Sequence, residues 1–156
     1  METKIFTEIL NPESILIPFE TSGFEAAIRQ LVAPIASLLP PGKEKQLMAR
    51  FVDVAKDHSY WSFGKQIAGP HAYVKGLDRI LAVLGISAKN IEWPGTLDKN
   101  PVRIVFLVLT PEGEQALNSS TICAFLGVLE DERRRKQLLA APSPQAALDI
   151  LTHRSD

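Results

Sequence analysis

The run Val102-Arg103-Ile104-Val105-Phe106-Leu107-Val108-Leu109-Thr110 constrains this chain more than any other stretch. It is nearly continuous, rich in β-branched residues and without a helical period. Such a strand is buried on both faces, so it belongs in the middle of a sheet with layers on either side. Leu81 to Ser87 is a second, shorter apolar strand of the same kind. Ser14–Ile17 and Gly64–Ala68 offer two more strands. Helical spacing dominates the rest. Ser22-Gly23-Phe24-Glu25 has the form of a capping box. Phe24, Ala27, Ile28, Leu31, Ile35 and Leu38 then recur on one face, up to Pro40-Pro41, with a bend expected at Pro34. A second helix is expected from Gly42 to Asp57. Others are expected from Asn118 or Ser119 to Leu129, from Arg133 to Ala140, and from the Ser143-Pro144 start onward. Helices at both ends with strands between them predict an α/β domain, helices over a mixed sheet.

The length of 156 residues suits a single domain over 1–156, and 46% hydrophobic residues suffice for a core. The formal net charge of -1 argues against a nucleic-acid partner. Arg133-Arg134-Arg135-Lys136 follows Glu130-Asp131-Glu132, and the pairs Glu130–Arg134, Asp131–Arg135 and Glu132–Lys136 describe a solvated helix face. No apolar run approaches the ~20 residues of a membrane span, and Met1 to Lys4 carries no leader signal. A cytoplasmic protein without membrane insertion is expected. The lone Cys123 is read as core. His58, His71 and His153 have no ligand spacing, so no metal and no cofactor are expected.

The candidate site is Gly69-Pro70-His71-Ala72, between two apolar runs. Proline fixes its own φ and extends the residue before it, so His71 sits on backbone with little freedom. Gly69 leaves room for a bulky group to approach. From the residues alone, a turn histidine with no chemistry is the commoner outcome.

Three stretches together resemble the enzyme IIA domain of the bacterial sugar phosphotransferase system, of the fructose, mannitol and nitrogen-regulatory type. They are Ile67 to Gly76 around Pro70-His71; Ile91-Glu92-Trp93 through Asp98-Lys99-Asn100-Pro101 to Thr110-Pro111-Glu112; and Leu129-Glu130-Asp131 through Ser143-Pro144 to Leu148. Leu10-Asn11-Pro12-Glu13-Ser14-Ile15 is similar to the family's start. The resemblance spans nearly the whole chain through the order and spacing of weak motifs. It implies a three-layer helix/mixed β-sheet/helix enzyme IIA fold. It implies that His71 accepts a phosphoryl group from the carrier protein HPr and passes it to a IIB domain. Backbone amides beside Gly69 or at a nearby helix start would then hold the phosphoryl oxygens.

The chain departs from the family pattern in three places. Asn118 stands where many members carry a second histidine. It is either a hydrogen-bond donor to phosphate or a plain helix cap. Tyr60-Trp61-Ser62-Phe63-Gly64 replaces a Ser-Thr-Gly-Ile-Gly stretch. Tyr60 and Trp61 are then either an exposed docking patch or core. Tyr73 stands where a basic residue often follows Pro-His-Ala. The alternative to a phosphocarrier is a regulatory or scaffold protein of the same fold, acting by protein binding.

Overall fold

The computed structural model describes residues 4–55, 61–96 and 98–153. The chain opens with α1 (Lys4–Ile9), a 3-10 turn (Pro12–Ser14) and β1 (Ile15–Leu16). Asn11 caps that turn, its Oδ1 accepting from the amides of Glu13 and Ser14 at 2.9 and 3.1 Å. Then come α2 (Phe24–Val32), a 3-10 segment (Ala33–Leu38) and α3 (Lys43–Ala55). The strands follow as β2 (Ser62–Gly64), β3 (Ile67–Ala68), β4 (His71–Val74), β5 (Leu81–Ile91) and β6 (Val102–Pro111). The chain closes with α4 (Gln115–Leu129), α5 (Glu132–Leu139) and α6 (Pro144–Thr152).

The sheet runs β1-β5-β6-β3-β2, with β4 also paired to β6. β6 is central, as its composition requires. It is antiparallel to β5 and parallel to both β3 and β4, so the sheet is mixed. Alternate residues of β6 feed opposite faces. Val105, Leu107 and Leu109 join Ile28, Leu31, Leu47 and Phe51 under α2 and α3. Ile104, Phe106 and Val108 join Phe6, Phe125, Leu138 and Leu151 under α1, α4, α5 and α6. The expected three-layer helix/mixed sheet/helix fold is the observed one.

Several local expectations change. The Ser22 capping box does not form: α2 starts after Gly23 at φ 156°, with no side-chain cap. The helix does not run on to Leu38. Pro34 lacks the amide an α-helix needs there, and the chain tightens into the 3-10 segment from Ala33. Gly64–Ala68 is a hairpin rather than one strand, since Lys65 and Gln66 take φ of 54° and 69° between β2 and β3. β5 runs past Ser87 to Ile91, its pairing irregular between Ile86 and Ile91. The exposed Ala88-Lys89-Asn90 hid that extension. Cys123 is exposed on α4 and not core. Of the three charge pairs expected along residues 130–136, only Glu132–Lys136 forms an ion pair among the described residues, at 3.1 Å. Asp131 instead caps α5 by accepting from the amides of Arg133 and Arg134. Arg135 Nη1 donates to the carbonyls of Leu129 and Glu130.

The 65–66 turn is held by Asp98, whose Oδ2 accepts from the Lys65 amide at 2.8 Å and from Asn100 Nδ2 at 2.9 Å. The Lys65 amide, then the Asn100 side chain and backbone, hold the Asp98 carboxyl below the usual carboxylate range. The folded state therefore favours the carboxylate. Its contribution is present above the ordinary value of 3.8 and is lost as pH falls through the lower folded one. We expect Asp98→Asn to lower the urea midpoint at about pH 7, and the gap to the native protein to shrink towards about pH 3. A second test concerns Gly85, where an added Cβ would lie 2.6 Å from the buried Phe19 ring. Gly85→Ala is expected to cost about 1–3 kcal/mol by the same unfolding measurement.

Candidate functional site

Gly69 and Pro70 form the joint between β3 and β4, both paired to β6. His71 is therefore the first residue of a strand and not a turn residue. The pairing sets it beside Val108, with Ala72 beside Leu109 and Tyr73 beside Thr110. Ala72 and Val74 pack under α2 and α3. His71 and Tyr73 consequently take the opposite face, the one covered by α4. His71 is half-buried there.

Gly69 does leave room for a bulky group, but the group is internal. An ideal Cβ at Gly69 would lie 2.2 Å from Phe106 Cζ. Phe106 is itself stacked on Phe125, with centroids 4.6 Å apart and planes within 3°, and on Phe63 at 5.8 Å and 12°. The Gly69 amide donates to the Trp61 carbonyl at 2.7 Å, so it is engaged and not available to an anion. The Gly69 carbonyl lies 2.8 Å from His71 Nδ1. A carbonyl only accepts, so Nδ1 carries the proton. In the neutral ring Nε2 is then the bare nitrogen, a nucleophile.

Asn118 is not the helix cap. α4 begins at Gln115, and Asn118 lies in its second turn, its amide donating to the Glu114 carbonyl at 3.0 Å. It is 7% exposed, and Thr110 Oγ1 donates to its Oδ1 at 2.9 Å. Thr110 is fully buried on β6, two residues beyond the partner of His71 and on the same face. The sheet and α4 thus bring His71, Tyr73, Thr110 and Asn118 to one face. Glu114 offers α4 no side-chain cap, so none of the first amides of the helix is satisfied by an N-cap side chain.

Tyr60 lies outside the described residues. Trp61 is not an exposed patch: it is half-buried at φ 68°, stacked on Phe24 at 6.1 Å and edge-on to Phe51 at 5.1 Å. Tyr73 borders a groove of about 230 Å³ shared with Lys43, Arg50, Lys75 and Glu112. The sequence reading missed Thr110 and this basic groove. A polar residue ending an apolar strand was the available signal for Thr110. The groove joins α3 to the end of β4, which no linear motif reveals. Removing the Asn118 amide would leave the Thr110 hydroxyl buried and unpaired. Asn118→Ala is expected to destabilise the fold by about 1–3 kcal/mol in urea unfolding.

Comparison with known proteins fits this architecture. The family model for the phosphoenolpyruvate-dependent sugar phosphotransferase system, EIIA 2, matches residues 8–154. A nitrogen regulatory protein of Bradyrhizobium diazoefficiens is 26% identical over 145 residues, covering 93% of each chain. The fructose-specific EIIABC component of the Bacillus subtilis phosphotransferase system is 26% identical over 147 residues, 93% of this chain and 22% of that longer protein. Among solved structures, the nitrogen regulatory protein IIA-Ntr of Neisseria meningitidis superposes with a TM-score of 0.83 at 19% identity, covering 95% of this chain and 99% of that one. Mannitol enzyme IIA of Escherichia coli, solved in complex with phosphorylated enzyme IIB, superposes with a TM-score of 0.74 at 19% identity, covering 93% and 98%. Both structures share the fold.

Proposed function

The chain belongs to the EIIA 2 family of the phosphoenolpyruvate-dependent sugar phosphotransferase system, and from that premise we propose that His71 is a phosphoryl carrier between HPr and a IIB domain. The observation that carries the reading is the 2.8 Å hydrogen bond from His71 Nδ1 to the Gly69 carbonyl. It holds the proton on one nitrogen and leaves Nε2 bare. In the first transfer the Nε2 lone pair attacks phosphorus in line. An N–P bond to the imidazole forms, and the N–P bond to the donor breaks with its electron pair returning to the donor's ring nitrogen. Nδ1 keeps its proton throughout, so the step needs no other acid or base. The second transfer runs the same exchange onto the IIB acceptor.

Little further chemistry is asked of the protein, because phosphoryl transfer depends on positioning and on charge around the equatorial oxygens. Asn118 has its oxygen occupied by Thr110, which turns the amide nitrogen into the free donor for a phosphoryl oxygen. The uncapped start of α4 adds a positive dipole end to the same edge. Lys43, Arg50 and Lys75 make a basic groove that borders Tyr73, two residues along β4 from His71. No helix of the described residues is long and apolar enough to cross a membrane. The domain acts in the cytoplasm and meets any membrane component through IIB.

A second reading, a regulatory protein of the same fold that works by protein binding, is favoured by the nitrogen regulatory relative that this chain matches over 93% of each chain. One experiment separates them. The protein is incubated with enzyme I, HPr and phosphoenolpyruvate and examined by intact-mass spectrometry. A carrier gains one acid-labile phosphoryl group, and His71→Ala abolishes the gain while keeping the native urea midpoint. No gain with HPr from any source leaves the binding protein.

A further inference from the structure

A preformed cavity of about 470 Å³ lies at the end of the sheet away from His71. His71 sits level with Val108 and Ala82, whereas the cavity is bounded by Ile86 to Lys89 further along β5. At about 3.3 Å per residue that separates the two places by more than 10 Å. Its size falls within the range of small-molecule sites. The apolar floor comes from Ile17, Ile86 and Leu139, and the rim carries Glu20, Ser22 and Lys89.

The walls are fixed by the fold. Phe19, between Ile17 and Glu20, is 1% exposed and lies against Gly85. The Glu20 carbonyl accepts from Gln30 Nε2 at 2.7 Å. On the other wall, Ser87 Oγ donates to the Lys89 carbonyl at 2.6 Å and accepts from the Lys89 amide at 3.1 Å. Arg103 Nε donates to the Ser87 carbonyl at 3.0 Å.

The charges on the rim are left unpaired. Among the described residues neither the Glu20 carboxylate nor the Lys89 ammonium has a side-chain hydrogen bond or ion pair, and the two do not pair with each other. Opposite charges held apart over an apolar floor match a ligand bearing both signs and an aliphatic body. The geometry points to a binding site for a free aliphatic amino acid, its ammonium on Glu20, its carboxylate on Lys89 and its side chain on Ile17, Ile86 and Leu139. Ser22, freed because the expected capping box does not form, adds a hydroxyl at the same rim. The site is independent of the phosphoryl chemistry at His71.

The test is isothermal titration calorimetry of the full chain with L-leucine, L-isoleucine and L-valine. Two half-ligands serve as controls: 4-methylpentanoate, which lacks the ammonium, and 3-methylbutylamine, which lacks the carboxylate. Saturable binding of at least one amino acid is expected. Each half-ligand should bind about tenfold more weakly or worse, the worth of one charge-assisted contact. Glu20→Gln and Lys89→Gln should each weaken the amino acid by a similar factor, and His71→Ala should leave it unchanged. Both rim residues are exposed, so these variants fold. Absence of saturable binding by all three amino acids, equal binding of the half-ligands, or indifference to both rim substitutions overturns the site.

Discussion

The site depends on the tip of the Phe106 ring lying against the bare Cα of Gly69. Phe106 is clamped between Phe63 and Phe125, and Phe125 in turn meets Phe6 edge-on at 5.1 Å. A ring held on both faces cannot give way, so no side chain fits at position 69 without moving backbone. The backbone that would move carries the carbonyl holding His71 Nδ1. The tautomer of a half-buried imidazole is thus tied to the aromatic packing of α4 on the same side of the sheet. Core and chemistry meet in one residue.

The same joint explains why β3 and β4 are separate strands. Both pair with β6 in parallel and in the same register, and the Gly69-Pro70 step interrupts the strand just before His71 without turning it. The Trp61 carbonyl ties down the Gly69 amide from the neighbouring loop. Asp98 locks the left-handed turn at Lys65 and Gln66 that delivers β3 to that point. On the other side, β6 carries Thr110 to the buried bond with Asn118. Two loop contacts and one strand-to-helix bond surround this ring, and none of them needs a charged group in the interior.

Much of this was legible in the sequence. The apolar run of residues 102–110 fixed a central strand, and helical periods on either side of it fixed the layers. Pro70-His71, with its flanking spacing, marked the candidate residue and the family resemblance. What escaped has common physical causes. Ser22 and Glu25 satisfy the capping-box pattern, yet α2 is entered through Gly23 at a positive φ of 156° and the box stays open. Asn118 has the composition of a cap, but its role is set by Thr110 across the helix–sheet contact, which local propensity does not register. Trp61 looks like a surface anchor until Phe24 and Phe51 are seen to enclose it. Glu20 and Lys89 border one cavity because β1 lies beside β5.

The most direct measurement is a long-range proton–nitrogen correlation spectrum of the His71 ring, before and after incubation with enzyme I, HPr and phosphoenolpyruvate. The account predicts a neutral ring protonated at Nδ1 beforehand, and phosphorus coupling at Nε2 afterwards with the Nδ1 proton retained. A ring protonated at Nε2, or phosphorus attached at Nδ1, would contradict it.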